Sequence, residues 1–108
     1  MLRKIDQALL EEIAARIVRQ FRPEKILVFG SHARGDAGPD SDLDLVVLMH
    51  TNKPFWQRAI EVDSIFGPRN WPMDLLVYTP EEFASQQAVV GTLPSMIAGE
   101  ARVLYERR

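Results

Sequence analysis

The chain has no cysteine among its 108 residues. That excludes disulfides, thiolate metal sites and thiol nucleophiles, and it suits a reducing compartment, so a cytoplasmic protein is expected. No apolar run approaches the roughly 20 residues of a membrane span, and no membrane association is expected. The opening stretch, MLRKIDQALLEEIAARI, is amphipathic and contains acids, so it does not read as a signal peptide. Neither sign of charge dominates. Thirteen Lys and Arg against fifteen Asp and Glu leave a net charge of −2, so a nucleic acid is not expected as a direct ligand. Neither G-x-G-x-x-G nor G-x-x-x-x-G-K occurs, which argues against kinase-type phosphate loops. Internal repeats, low-complexity tracts and linkers are absent too. With 46% hydrophobic and 26% charged residues, the composition is that of an ordinary globular protein. The length fits one domain, 1–108, with a single core.

What is present is concentrated between Phe29 and Leu48, FGSHARGDAGPDSDLDLVVL. Gly30-Ser31 ends one apolar run, and Asp42-Leu43-Asp44 opens the next. Residues two apart on a strand share a face, which sets Asp42 and Asp44 roughly 6.6 Å apart along it. At an effective dielectric near 20, their repulsion is on the order of 2.5 kcal/mol. A divalent cation between them reverses that sign. Gly30 lets the backbone approach a ligand closely, Ser31 offers a hydroxyl and a cap for a short helix, and exposed N–H groups at such a turn attract anions. An Asp-x-Asp alone is more often structural, and a Gly-Ser turn alone is more often a plain turn. Their combination points to a metal site facing a phosphate-binding turn. Arg34 either contacts a phosphate or braces the loop, with bracing slightly ahead. His32 is read as a surface histidine before a proton shuttle.

Around this stretch, the apolar spacing of Ile5, Leu9, Ile13, Ile17 and Phe21 predicts a helix over 2–21, with Glu12 and Arg16 paired on its outer face. Lys25–Phe29 reads as a buried strand. Asp42–Met49 reads as a central strand, apolar on both faces beyond Asp44. Phe55–Phe66 reads as a helix with Phe55 and Trp56 as core and rim, and Trp71 as a wedge against the sheet. Met73–Tyr78 is a third strand with Asp74 at its entry. If it neighbours the second strand in register, Asp74 becomes a third carboxylate of the same site. Asp63 is the competitor, but a mid-helix position favours a solvated role. Thr79-Pro80-Glu81-Glu82 starts a helix with a capping box that runs to about Val90. A short helix over 92–98 follows, and Ala101–Tyr105 is an edge strand or tail.

A carboxylate trio with two divalent ions is a recognised arrangement for in-line displacement at phosphorus. With the turn holding the β- and γ-phosphates, attack at the α-phosphorus expels pyrophosphate, so nucleotidyl transfer is expected.

Gly30-Ser31, ten intervening residues and Asp42-x-Asp44 resemble the signature of the DNA polymerase β-like nucleotidyltransferase superfamily. The strings GSHARGD…SDLDLVVL and MDLLVYTPEEF are similar to those of its minimal nucleotidyltransferases, the MNT or MntA-like antitoxins. The resemblance implies an α/β (α+β) palm-like domain with a small mixed sheet flanked by helices. It implies Asp42 and Asp44 as metal ligands, Asp74 as third carboxylate and general base, and Gly30 and Ser31 as triphosphate contacts. Magnesium, as two ions, and ATP follow from it. It also implies a HEPN-type RNase toxin as partner, with AMP transferred to a toxin tyrosine, as in a type VII-like antitoxin, within a homo- or hetero-oligomer. Two other readings stay open: a small-molecule or RNA acceptor, and an antitoxin that neutralises by binding alone.

Overall fold

The computed structural model describes residues 2–108. Helix α1 spans Gln7–Phe21, shorter than expected from its stripe. Asp6 caps it, its side chain accepting from the Leu9 N–H at 3.0 Å. The described residues before it have no regular secondary structure, and the Arg3 N–H donates to the Asn70 carbonyl at 2.7 Å. A good cap thus outweighs the upstream periodicity. The expected Glu12–Arg16 pair does not form. Glu12 pairs with Arg3 at 2.6 Å, while Arg16 donates to the Ile65 carbonyl at 2.8 Å and stacks over Phe66. Arg22 ends α1 in the left-handed region, immediately before Pro23.

Strands β1 (Lys25–Phe29), β2 (Leu43–Leu48), β3 (Met73–Tyr78) and β4 (Arg102–Glu106) form one sheet in the order β3-β2-β1-β4. β1 runs antiparallel to β2 and β4, and β2 runs parallel to β3, so the sheet is mixed. A one-turn helix, α2 (Ser31–Arg34), follows β1 directly, starting one residue earlier than a Ser31 cap would place it. Helix α3 (Phe55–Asp63) and a 3₁₀ turn over Ser64–Phe66 carry the chain from β2 to β3. Helices α4 (Pro80–Gln87) and α5 (Leu93–Glu100) lead into β4, which is an edge strand. The capping box at Thr79–Glu82 forms as expected.

The sheet has two unequal sides, as alternation along its strands requires. Ile26, Val28, Leu43, Leu45, Val47, Met73 and Val77 pack with α1 and with Val62, Phe66 and Trp71 into the main core. Trp71 is the expected wedge, set edge-on against Phe66. The opposite face carries a smaller cluster of Leu27, Val46, Leu48, Tyr78, Phe83 and Ile97. Phe55 and Trp56 are not core. They are 47% and 69% exposed, because α3 turns Val62 and Arg58 inward instead.

Candidate active site

Parallel pairing of β2 with β3 sets Asp44 opposite Asp74, and antiparallel pairing of β2 with β1 sets Asp44 opposite Phe29, one residue before Gly30. In-register neighbours project to one face. Both aspartates therefore lie on the side of the smaller cluster, at the end of the sheet where Gly30 turns the chain. Asp42 lies just before β2, two residues from Asp44, and is exposed like Asp74. Asp44 is half-buried. Burial, then the charges of Asp74 and Asp42, push the Asp44 carboxyl above the usual carboxylate range, against an opposing pull from His32 and Arg34. The like-charge repulsion anticipated from the sequence thus falls on Asp44, and Asp74 contributes more of it than Asp42.

Gly30 fits this place for a steric reason. It adopts φ 74°, and a Cβ built there would stand 2.4 Å from Oδ2 of Asp44. A side chain at this position would both strain the backbone and strike the carboxylate. Ser31 begins α2, with Gly30 as its N-cap, so the serine hydroxyl does not serve as the cap. Arg34 is held by Asp36 and Glu100, each at 3.2 Å. Its guanidinium is held firmly protonated by hydrogen bonds to Asp36 and then to Glu100. Nε2 of His32 lies 3.2 Å from the Ser41 carbonyl oxygen, which can only accept, so Nε2 is the donor and the ring braces the loop.

Asp63, the last residue of α3, forms an ion pair with Arg69 at 2.7 Å, so it is not the solvated mid-helix acid expected from the sequence. Asp74 lines a shallow slot of about 170 Å³ with Ala59, Ile60, Asp63, Met73 and Leu75. A larger cavity of about 520 Å³, bordered by Arg3, Ile5, His32, Pro39 and Ser41, contains none of the three acids. The three aspartates lie instead at the end of the sheet where Gly30 turns the chain.

Among the described residues, no three His, Cys, Asp or Glu side chains are grouped closely enough to hold a metal ion by themselves. The donor set still suits a hard cation. Magnesium keeps several waters and is bound through one or two carboxylates plus substrate phosphates, not by an all-protein cage. The strained protonation balance of Asp44 is what a cation would relieve.

Two charged residues with defined partners, Arg58 and Glu100, were not singled out from the sequence. Arg58, its side chain only 8% exposed, meets Glu82 at 2.7 Å and donates Nε–H to the Lys53 carbonyl at 2.9 Å. Its place between Phe55 and Val62 on the helical repeat was the available signal. Glu82, assigned only to the cap, is held below the usual carboxylate range first by Arg58 and then by the Thr79 N–H. Glu100 also escaped notice. Its partners lie 66 and 70 residues away in sequence, and no local pattern carries that.

The architecture is a mixed four-stranded sheet flanked by helices, the nucleotidyltransferase-like fold. Residues 10–102 match the model of the nucleotidyltransferase domain, and the chain belongs to that family. Similar solved structures include a candidate nucleotidyltransferase from Sulfolobus solfataricus, with 21% identity, a TM-score of 0.64, and coverage of 94% of this chain and 80% of that one. A toxin–antitoxin complex with AMP-PNP has 20% identity, a TM-score of 0.52, and coverage of 91% and 74%. The toxin–antitoxin pair MntA–HpeT carrying two Asp-to-Glu substitutions has 17% identity, a TM-score of 0.55, and the same coverage. At these identities the likeness is one of fold. No curated protein matches the sequence significantly.

Proposed function

We propose that this domain transfers AMP from ATP to a hydroxyl of a partner protein, a tyrosine of a HEPN-type RNase toxin, and so acts as the antitoxin of the pair. The observation that carries the transfer reading is the register of β2 and β3, which sets Asp44 against Asp74 beside a glycine that admits the carboxylate. In this reading Gly30 and Ser31 hold the β- and γ-phosphates, and Arg34 adds positive charge to them. Asp42 and Asp44, with Asp74, would hold magnesium, which when bound neutralises triphosphate charge and acidifies the attacking hydroxyl. Asp74, exposed at the entry to its slot, accepts the acceptor's proton. The acceptor oxygen forms a bond to the α-phosphorus, the bond from that phosphorus to the oxygen bridging to the β-phosphate breaks, and pyrophosphate leaves. Positioning and charge stabilisation carry such reactions, so the small number of side chains suffices.

A protein acceptor is supported by the exposed apolar residues, among them Val90 at 94%, Trp56 at 69% and Met96 at 66%. It is supported further by the toxin–antitoxin settings of the similar folds, one of them with a nucleotide analogue. The test is incubation with magnesium and α-labelled ATP, with and without the protein encoded beside this chain, read by intact mass. A gain of AMP on that neighbour, lost with Asp42→Asn, supports the proposal. A stable complex without AMP transfer would replace it with neutralisation by binding alone.

A further inference from the structure

Glu100 is the last residue of α5, and its carboxylate reaches back to the turn after β1. Oε1 accepts from the Gly30 N–H at 3.0 Å, and Nη1 of Arg34 donates to Oε2 at 3.2 Å and to Oε1 at 3.4 Å. One carboxylate therefore takes up a backbone donor and a guanidinium together, which is the pair of donors a phosphate oxygen would use. The placement runs against local preference. An acid in the last turn faces the negative end of its own helix, and α5 has no basic residue in that turn to offset it. The contacts to Gly30 and Arg34 supply what the helix does not. Another acid is thereby brought to an end of the sheet that already holds Asp42, Asp44 and Asp74.

We propose that Glu100 is a built-in competitor of the nucleotide: its carboxylate occupies the triphosphate position on Gly30 and Arg34, and the triphosphate must displace it to bind. The inference rests on the nucleotidyl-transfer reading of the same turn. It also joins the two roles open to Arg34, which braces the chain through Glu100 and turns to phosphate once Glu100 leaves. Because Glu100 ends α5, its release frees the end of a helix whose outer residues Leu93 and Met96 are exposed. Nucleotide occupancy is thus linked to the conformation of that corner.

The apparent affinity of a site that is open only a fraction of the time is reduced by that fraction. If Glu100 closes the turn about nine-tenths of the time, removing its charge tightens triphosphate binding about tenfold. The experiment titrates full-length wild type, Glu100→Gln and Glu100→Ala with magnesium–ATP, inorganic triphosphate and AMP, reading affinity by calorimetry and folding by thermal melting. Tighter binding of ATP and inorganic triphosphate by both folded variants, with AMP affinity unchanged, supports the proposal. Unchanged or weaker triphosphate binding, where wild type binds ATP, would make Glu100 only a loop brace and leave the transfer reading standing. An equal gain for AMP would also overturn the proposal, since AMP lacks the phosphates that compete. If neither wild type nor variants bind ATP, the nucleotide reading fails and this inference with it.

Discussion

The two faces of the sheet are covered to different extents. On the side of α1, Leu43, Leu45 and Val47 are wholly buried, and Met73 and Val77 on the next strand are nearly so. On the side of α4 and α5, burial is complete at Val46 and falls off only toward the Gly30 end of the sheet. Leu48 and Tyr78 are buried at one end, Leu76 is half-buried beyond Tyr78, and Asp44 and Asp74 stand at the other end, half-buried and exposed. The side chains change from aliphatic to acidic where the covering helices stop. A buried carboxylate without a partner is costly, so acids can persist only where water or a ligand reaches them. The covered face fixes strand register, and register sets where the acids of the open face project. A slip of one residue would turn Asp44 into the core.

Substitutions at the open end should damage activity far more than folding. Asp42→Asn and Asp44→Asn should each lower AMP transfer on the order of 10²–10³-fold or more, the scale of losing a key electrostatic group. Asp74→Asn should cost about 10²–10⁴-fold if it removes a general base. Single-turnover transfer assays on variants with native-like melting curves read these losses. A severe loss in Asp63→Asn with a mild one in Asp74→Asn would reverse the choice of third carboxylate. On the covered face the pattern inverts. Leu45→Ala should cost about 2–5 kcal/mol in urea unfolding. Leu76→Ala, on the partly open face, should cost less than half as much. Equal costs would mean that the two faces contribute alike to stability.

Much of this contrast could be read from the sequence, since strand alternation and the Gly-Ser and Asp-x-Asp spacing are local signals. The strand limits of β1 and β3 came out as expected, because short apolar runs bounded by Gly, Pro and Thr leave little freedom. The capping box at Thr79 was legible for the same reason. What local pattern could not supply was pairing. That β2 and β3 are parallel and adjacent, bringing Asp74 to Asp44, depended on long-range packing and entered only as a condition. The start of α1 was misplaced because a periodic stripe continues through Ile5, whereas Asp6 offers a better cap. Phe55 and Trp56 were assigned to core and rim because Phe55 continues the apolar spacing of Val62 and Phe66, but Arg58 takes the inner position by pairing with Glu82. Glu100 was invisible because its partners are distant in sequence.

A smaller effect is expected at Ser31, which lies within the turn but does not cap α2. Ser31→Ala should weaken ATP binding by about 1 kcal/mol or somewhat more, the value of one hydrogen bond to a charged group. Calorimetric titration measures it, and unchanged affinity would remove the hydroxyl from the phosphate contacts.

The smallest effect should be one of opposite sign, and it tests the open face through stability alone. The Asp44 carboxyl is held above its ordinary range in the folded chain, by burial and then by Asp74 and Asp42. Between the ordinary aspartate value and the raised one, the folded state binds more protons than the unfolded state. Stability therefore falls as pH rises through that window, and the penalty is fully present above it. Asn at this position has no such window. Without magnesium, Asp44→Asn should accordingly melt at a higher temperature than wild type near neutral pH, and the gap should close on acidification as Asp44 takes up its proton. Magnesium should narrow the gap at neutral pH, because an ion that binds only the folded wild type stabilises it by mass action. Melting curves across pH, with and without magnesium, read both effects. A gap that widened in acid would mean that the ionised Asp44 is favoured by its surroundings, and the repulsion among the three acids would lose its role in drawing a cation to this end of the sheet.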